Sequence, residues 1–364
     1  MTPMTLAATS NTPPSEVHGV RASSPHPQLN GLLQKAGIAT LEETAWIRVS
    51  GSDRVRWLNG MATNSVQDLA SGAGAYNFFL NAQGRIQADG IIFALPDELL
   101  IETHRRQVAT LIPYLDHYII MDDVELADIS NTRHGLTLIG PEASSLLARI
   151  DLSTDSLNEL EMRVYPWKST TVTLLRAHGP VVPRYELWTG QEEDAHALRQ
   201  TLESVGAIPC DSAVLEWLRI LEGTPLYGTD IRDRDLPQET NQTRALHFNK
   251  GCYLGQEIVE RIRSRGNVHR TFSAFRLEGT LPQAGAILES AGKQAGELTS
   301  VTALPLSKAG ESNLQFALGY VRREALDRRE PLQYAGGVAY PFSSPFFATE
   351  TESPSQASDS PKRD

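Results

Sequence analysis

Cys252 stands in the octapeptide Lys250-Gly251-Cys252-Tyr253-Leu254-Gly255-Gln256-Glu257. A thiol in such company is a candidate nucleophile or metal ligand, because thiolate is the reactive and ligating form. Ile258, Val259 and Ile262 recur behind it at helical spacing and Gly266 is a natural stop, so the pattern predicts a helix beginning at the thiol. A helix N-terminus offers free N–H groups and the positive end of the dipole. Both favour thiolate, as would the Lys250 ammonium if it pointed the same way. The plain alternative is a buried structural cysteine. Cys210, between Ile208-Pro209 and Asp211-Ser212, reads as structural. The two cysteines form no Cys-x-x-Cys, no His-x-x-x-His occurs, and no metal site is expected from this chain alone.

Other residues could supply charge. Arg261, Arg263, Arg265 and Arg270 follow the octapeptide closely. They read either as a solvated helix end or as an anion site, since guanidinium forks bind carboxylate and phosphate bidentately. Asp89 lies in the strand-like Gly84–Ile92 beside Gly90. It could accept hydrogen bonds from an aminated heterocycle or lie on an exposed strand face. Leu226-Tyr227-Gly228-Thr229-Asp230 and Leu236-Pro237-Gln238-Glu239 bracket a charged loop, where ligand contacts concentrate.

These residues need a scaffold. Thr44–Gly51, Asn77–Leu80, Arg85–Leu95, Leu99–Thr103, Val124–Ile129 and Leu136–Ile139 read as strands. Ser52 is the expected cap of a short helix carrying Val55 and Leu58. A helix is predicted from about Arg106 to Tyr118. Thr171–Ala177 and Tyr185–Trp188 are strand-like, and Glu192–Val205 and Ser212–Glu222 are helical, closed by Gly206 and Gly223. After Gly266 come short alternating runs, Thr271–Leu277, Ala286–Leu288, Gly296–Ser300 and Leu314–Val321, which predict a small barrel or sandwich.

Composition sets limits. A chain of 364 residues suggests more than one domain, and 40% hydrophobic residues can pack a core. A net charge of −11 argues against broad nucleic-acid binding. Two cysteines exclude a disulfide framework and favour a reducing compartment, here the cytoplasm. No window reaches the roughly 18 apolar residues of a membrane span. Residues 1–27 and 349–364 read as polar, disordered tails. No Gly-x-Gly-x-x-Gly, Walker loop or Gly-x-Ser-x-Gly elbow occurs.

The octapeptide, with Arg265-Gly266-x-Val268-x-Arg270 behind it, resembles the signature of YgfZ-type folate-binding proteins, relatives of the glycine-cleavage T-protein (aminomethyltransferase). The resemblance spans most of residues 40–345. It includes Leu80-Asn81-Ala82-Gln83-Gly84-Arg85, Tyr227-Gly228-x-Asp230, Leu236-Pro237-Gln238-Glu239 and Ala317-Leu318-Gly319-Tyr320-Val321. It implies an α+β, T-protein-like ring: two mixed α/β folate-binding subdomains over residues 28–267, split near 130–165, and a C-terminal small β-barrel over 268–348. It also implies a tetrahydrofolate pocket and a role in iron–sulfur cluster assembly or repair, with iron–sulfur client or assembly proteins as partners. Any effect on tRNA modification would be indirect, with neither nucleic acid nor membrane bound directly. On this resemblance Cys252, Lys250 and Asp89 are the candidate catalytic residues. Asp89, Tyr227, Gln256, Glu257, Arg261, Arg263, Arg265 and Arg270 are candidates for holding folate. The alternative is a tetrahydrofolate-dependent aminomethyltransferase or demethylase, and a third reading is a binding scaffold with a structural cysteine.

Two departures from the T-protein pattern stand out. Its paired aspartates become Ala88-Asp89, and its Arg-Leu-Glu-Ala-Gly becomes Arg219-Ile220-Leu221-Glu222-Gly223. That places Glu222 one position late, a rotation of roughly 100° on a helix, and leaves open whether it reaches the pterin.

Overall fold

The computed structural model describes residues 24, 26–266, 268–306, 313–328, 330–342 and 344–346. The expected tails, apart from a few residues before 28, lie outside that set. The described chain begins with α1 (Pro27–Gln34) and β1 (Gly37–Thr40). Next come β2 (Thr44–Ser50), α2 (Arg54–Met61), β3 (Gly74–Leu80), β4 (Ile86–Ala94), β5 (Leu99–His104), α3 (Arg105–Asp116) and β6 (Glu125–Asp128). Then follow β7 (His134–Ile139), α4 (Ala143–Ala148), β8 (Met162–Trp167), β9 (Thr170–Ala177), β10 (Arg184–Thr189), α5 (Glu192–Ser204), β11 (Ile208–Pro209) and α6 (Ser212–Glu222). After α7 (Gln256–Arg265) the chain continues as β12 (Arg270–Gly279), β13 (Ile287–Ser290), β14 (Lys293–Leu304), β15 (Leu314–Arg322), α8 (Arg323–Asp327), β16 (Leu332–Tyr334) and β17 (Gly337–Phe342).

Two sheets and a barrel result. The first sheet has strand order β3-β4-β5-β2-β6, the second β11-β1-β7-β10-β9-β8, and β12-β15-β14-β13-β16-β17 close into a barrel. The expected α+β architecture is therefore present. The halves are not sequential blocks, because β1, from the start of the described chain, pairs with β7 and β11 of the second sheet.

Strand alternation explains the layering. In β4, Ala88 and Ile92 pack with Trp57, Leu58, Leu111 and Leu115 of α2 and α3. In β10, Tyr185 and Leu187 pack with Leu198 and Leu202 of α5. The opposite faces of the sheets meet in a seam of Trp46, Phe93, Leu100, Leu175 and Trp188. The order is helices, sheet, sheet, helices, and inward-facing polar side chains lie between the sheets.

The barrel closes on Phe275, Leu277, Leu298, Ala317 and Ala339. The alternate residues Phe272, Ala274, Phe316 and Leu318 face outward and pack on α1 and α6 through Leu29, Leu32, Val214, Leu218 and Leu221. Buried charge reinforces this joint. Asp230 is fully buried and accepts bonds from Arg219 of α6 at 2.7 Å and Ser300 of β14 at 2.8 Å, with Thr299 as a third donor.

Two local expectations are corrected. Ser52 does not cap α2: the N-cap is Asp53, without a side-chain cap bond, and its carboxylate accepts from the Asp123 N–H instead. The helix after Cys252 begins only at Gln256, because Gly255, the N-cap, is left-handed at φ 80°.

Candidate active site

Asp89 projects from the inner face of β4 and is fixed on several sides. Gln107 of α3 donates to Oδ1 at 2.7 Å and accepts the Asp89 N–H at 2.9 Å, while Thr103 donates to the Asp89 carbonyl at 2.8 Å. The Tyr76 hydroxyl donates to Oδ2 at 2.6 Å. Each carboxylate oxygen keeps acceptor capacity beyond these bonds. Asp89 retains some accessible surface, but protein encloses it. Burial raises its pKa, against the Tyr76 and Gln107 bonds and the fields of Arg244 and His104. The same enclosure, followed by the Asp89 charge, raises Tyr76 well above the usual phenol range.

Arg244 follows Thr243 in a short 3-10 turn that precedes the octapeptide. Its guanidinium lies 4.4 Å over the Tyr76 ring, a cation–π geometry. Nε donates to Gln242 at 3.3 Å, but Nη1 is buried with no partner. Burial lowers the Arg244 pKa, opposed by Tyr76, Glu159, Asp89 and Glu222. The cluster therefore holds an under-compensated guanidinium beside a clamped carboxylate.

Glu222 completes the cluster. It is the last residue of α6, and left-handed Gly223 at φ 68° ends the helix there. Its buried carboxylate takes Arg184 Nη2 at 3.1 and 3.3 Å. Burial raises its pKa, opposed by Arg184, His178 and Arg244. Leu221, not Glu222, packs into the core beneath the barrel. Glu222, one position on, turns toward the polar cluster of Arg184, His178 and Arg244. His178 and Glu159, 2.9 Å apart, flank the cluster on a more exposed side.

The other predicted site residues are scattered. Tyr227 is near: its hydroxyl donates to the Gln87 carbonyl of β4 at 2.5 Å, and its ring packs against the cluster of Tyr76, Phe78 and Tyr253. Lys250 does not serve Cys252. Its ammonium is spent on the carbonyls of Asn59, Ala62 and Asn64 at 2.6, 2.7 and 2.8 Å, at the C-terminal end of α2, where a cation is favoured. Burial lowers its pKa to about 8. Cys252 is free and exposed, and Tyr253 anchors the octapeptide. Gln256 accepts the Tyr253 N–H at 3.3 Å, a local turn bond.

The arginines do not converge on one anion site. Arg261 pairs with Glu257 at 2.7 Å on exposed α7, and Arg263 pairs with Glu260 and stacks 4.4 Å over Phe248. Arg265 lies in α7, its side chain outside the described residues. Arg270 is enclosed by Asp235 at 2.6 Å and Glu239 at 3.0 Å, at the barrel joint. Charge spacing exposed the run but not its partners, which come from the helix itself and from a distant loop. Conversely, Tyr76, Gln107, Arg184 and Arg244 carried no local signal. Only the inward period of β3, β4 and β10 places the residues of those strands on one face. Among the described residues no group of His, Cys, Asp and Glu is arranged to hold a metal ion, and no helix is long and apolar enough to cross a membrane.

Comparison with known proteins agrees with this architecture. A family model described as the GCVT N-terminal domain matches residues 28–250. The chain belongs to that family. It is 26% identical over 291 residues to a chloroplastic protein of Arabidopsis thaliana provisionally named a transferase, covering 79% of this chain and 66% of the relative's length. It is 25% identical to the aminomethyltransferase of Anoxybacillus flavithermus over 87% of this chain and 88% of the relative. The crystal structure of the glycine cleavage system aminomethyltransferase T from Bartonella henselae superposes with a TM-score of 0.75 at 19% identity, over 90% of this chain and 91% of that one. That structure shares the T-protein-like fold. Within this GCVT-family frame, Ala88 faces the α2–α3 core, so in this register Asp89 alone of the pair faces inward.

Proposed function

We propose that the chain binds tetrahydrofolate at the Asp89–Tyr76–Arg244–Glu222 cluster and acts on a one-carbon unit carried by folate, in the manner of an aminomethyltransferase. One observation carries this reading: a clamped carboxylate of raised pKa stands beside a part-buried arginine whose guanidinium stacks on Tyr76 and donates only weakly, from Nε to Gln242 at 3.3 Å. The cluster fits the ligand's chemistry. A reduced pterin presents N–H donors that Asp89 and Glu222 would accept, and Arg244 would donate to its carbonyl. Family membership and relatives named aminomethyltransferase support the same reading. When bound, tetrahydrofolate supplies the nitrogens that carry a one-carbon unit. Asp89 would position such a nitrogen and exchange a proton with it, a task helped by a carboxyl group whose pKa burial raises. Tyr76 and Gln107 would hold the carboxylate in place.

The test is a binding titration with tetrahydrofolate on wild type, Asp89→Asn and Arg244→Gln, followed by an assay for methylene-tetrahydrofolate formed from an aminomethyl-lipoyl carrier. Wild-type affinity in both variants removes the assignment. Binding without transfer leaves folate capture and removes the transferase step.

The exposed, unpaired thiol of Cys252 favours a second reading. In it the protein is a folate-dependent accessory factor for iron–sulfur cluster assembly or repair, of the YgfZ type, with Cys252 meeting a client protein. Normal cluster-enzyme activities in cells carrying only Cys252→Ala would remove the thiol's role.

A further inference from the structure

A cavity of about 260 Å³ opens at the end of the seam where β10 finishes, and its lining includes Thr132, Arg133, Thr171, Thr173, Trp188 and Thr189. It stands apart from the folate cluster. Trp188 is four residues along β10 from Arg184, which holds Glu222, and four extended residues span about 13 Å. Strand register explains the lining. Trp188 is opposite Thr173 of β9 and Gly135 of β7. Alternation then brings Thr171, two residues before Thr173, and the extended Arg133, two before Gly135, to the same face.

The polar groups of the cavity are unevenly satisfied. The Trp188 indole N–H is spent on Glu186 at 3.0 Å, which leaves the ring as an apolar wall. The Arg133 guanidinium stands 5.9 Å from the centre of that ring. It makes no hydrogen bond among the described residues. Its Nε is sealed from solvent without a partner, and Nη2 lies 3.8 Å from Glu98 of the facing sheet, beyond hydrogen-bond reach. The Thr132 and Thr189 hydroxyls donate to the carbonyls of Ile129 and Gln191 at 2.8 and 2.9 Å and fix the rim. Those of Thr171 and Thr173 have no partner among the described residues. Arg48 of β2, in register with Leu100, shares the inner face with Glu98, two residues before Leu100. Its Nε is also buried without a partner. Two guanidiniums therefore share this end of the seam with Glu98. Glu102 and Glu186 lie deeper along it, and burial raises both toward the neutral acid.

We propose that this cavity binds a small oxyanion, a phosphate or a carboxylate, held by the Nη groups of Arg133 and the hydroxyls of Thr171 and Thr173. A guanidinium without hydrogen bonds gains most from an acceptor that carries charge. Arginine keeps its proton in proteins, so burial leaves the Arg133 charge in want of a partner. The volume equals that of roughly nine waters at about 30 Å³ each. It falls below the range of pockets for drug-sized ligands, which suits a small anion and not a whole folate.

The experiment titrates the full chain with inorganic phosphate and, separately, with acetate, at constant ionic strength set with chloride. Wild type, Arg133→Gln, Thr173→Val and Arg244→Gln are compared. Saturable binding of at least one anion is expected in wild type, about tenfold or more weaker in Arg133→Gln. Thr173→Val keeps the shape without the hydroxyl and is expected to bind about threefold more weakly. Arg244→Gln, in the folate cluster, is expected to bind as wild type does. A preference for phosphate assigns a tetrahedral ligand, and one for acetate a carboxylate. No saturable binding of either anion, or full affinity in Arg133→Gln, overturns the site. Loss of binding in Arg244→Gln also overturns it, by placing the anion in the folate cluster. Should Arg133→Gln not fold, Thr173→Val decides, and wild-type affinity in that variant overturns the proposal.

Discussion

The guanidinium of Arg244 lies over the ring of Tyr76 at 4.4 Å, and the hydroxyl of that ring holds Asp89 at 2.6 Å. Cation, aromatic ring and carboxylate form one chain, in which the ring both spaces and links the charges. The burial that raises the Asp89 pKa also makes its ionised form costly to fold. Asp89→Asn should therefore be neutral or stabilising, by up to about 1 kcal/mol at pH 7, while tetrahydrofolate affinity falls at least about tenfold. Thermal unfolding and a binding titration on the same sample check this. A variant that loses stability and keeps affinity would make Asp89 a structural residue.

Asp230 holds the barrel. It is fully buried and collects donors from α6, the Leu226 backbone and β14. Asp230→Ala leaves Arg219 with the part-exposed Glu216 as its remaining counter-charge and strips the acceptor from the Leu226 N–H and the Thr299 and Ser300 hydroxyls, and should cost about 3 kcal/mol. Chemical denaturation measures the loss. Limited proteolysis should show cleavage near the joint before the α/β sheets are cut, and unchanged stability would contradict the buried-charge account.

Much of the scaffold was legible because it rests on local periodicity. The α6 stripe Val214–Leu218–Leu221 and the stop at Gly223 follow from spacing and backbone preference. The barrel strands follow from alternation, although β16 has only three residues and β17 is interrupted by Pro341. The site was less legible. Asp89 was visible as a carboxylate in an apolar strand, but its clamp, Gln107, is a helix residue with no pattern of its own. Arg244 sits in a turn where one arginine looks like any other. Lys250 misled because adjacency in sequence suggested Cys252, whereas three carbonyl oxygens of another segment make the stronger site for its ammonium.

Two glycines of separate motifs meet at the base of the octapeptide. A Cβ on Gly255 would stand 2.5 Å from the Asn81 carbonyl and 3.1 Å from Gly84 Cα, and Gly255 is already at φ 80°. Gly255→Ala should cost about 2 kcal/mol or more, combining left-handed strain with the clash. Gly251, with open space around it, is the control: Gly251→Ala should change stability by less than about 0.5 kcal/mol. Equal melting temperatures for the two variants would refute the packing argument.

The thiols should separate cleanly in reactivity. Cys252 is exposed, while Cys210 is buried, held at 3.3 Å from the Ile208 carbonyl and raised by burial to about 11. Thiolate is the species that alkylates, so at neutral pH a maleimide or iodoacetamide reagent should modify one cysteine in the native protein and both only after denaturation. Mass spectrometry of the tryptic peptides identifies which. Cys252→Ala should abolish native labelling, shift stability by no more than about 0.5 kcal/mol, and leave tetrahydrofolate affinity at the wild-type value, because no contact of the Asp89 cluster runs through the sulfur. A loss of folate affinity in that variant would place the thiol in the binding site and merge the two proposed roles.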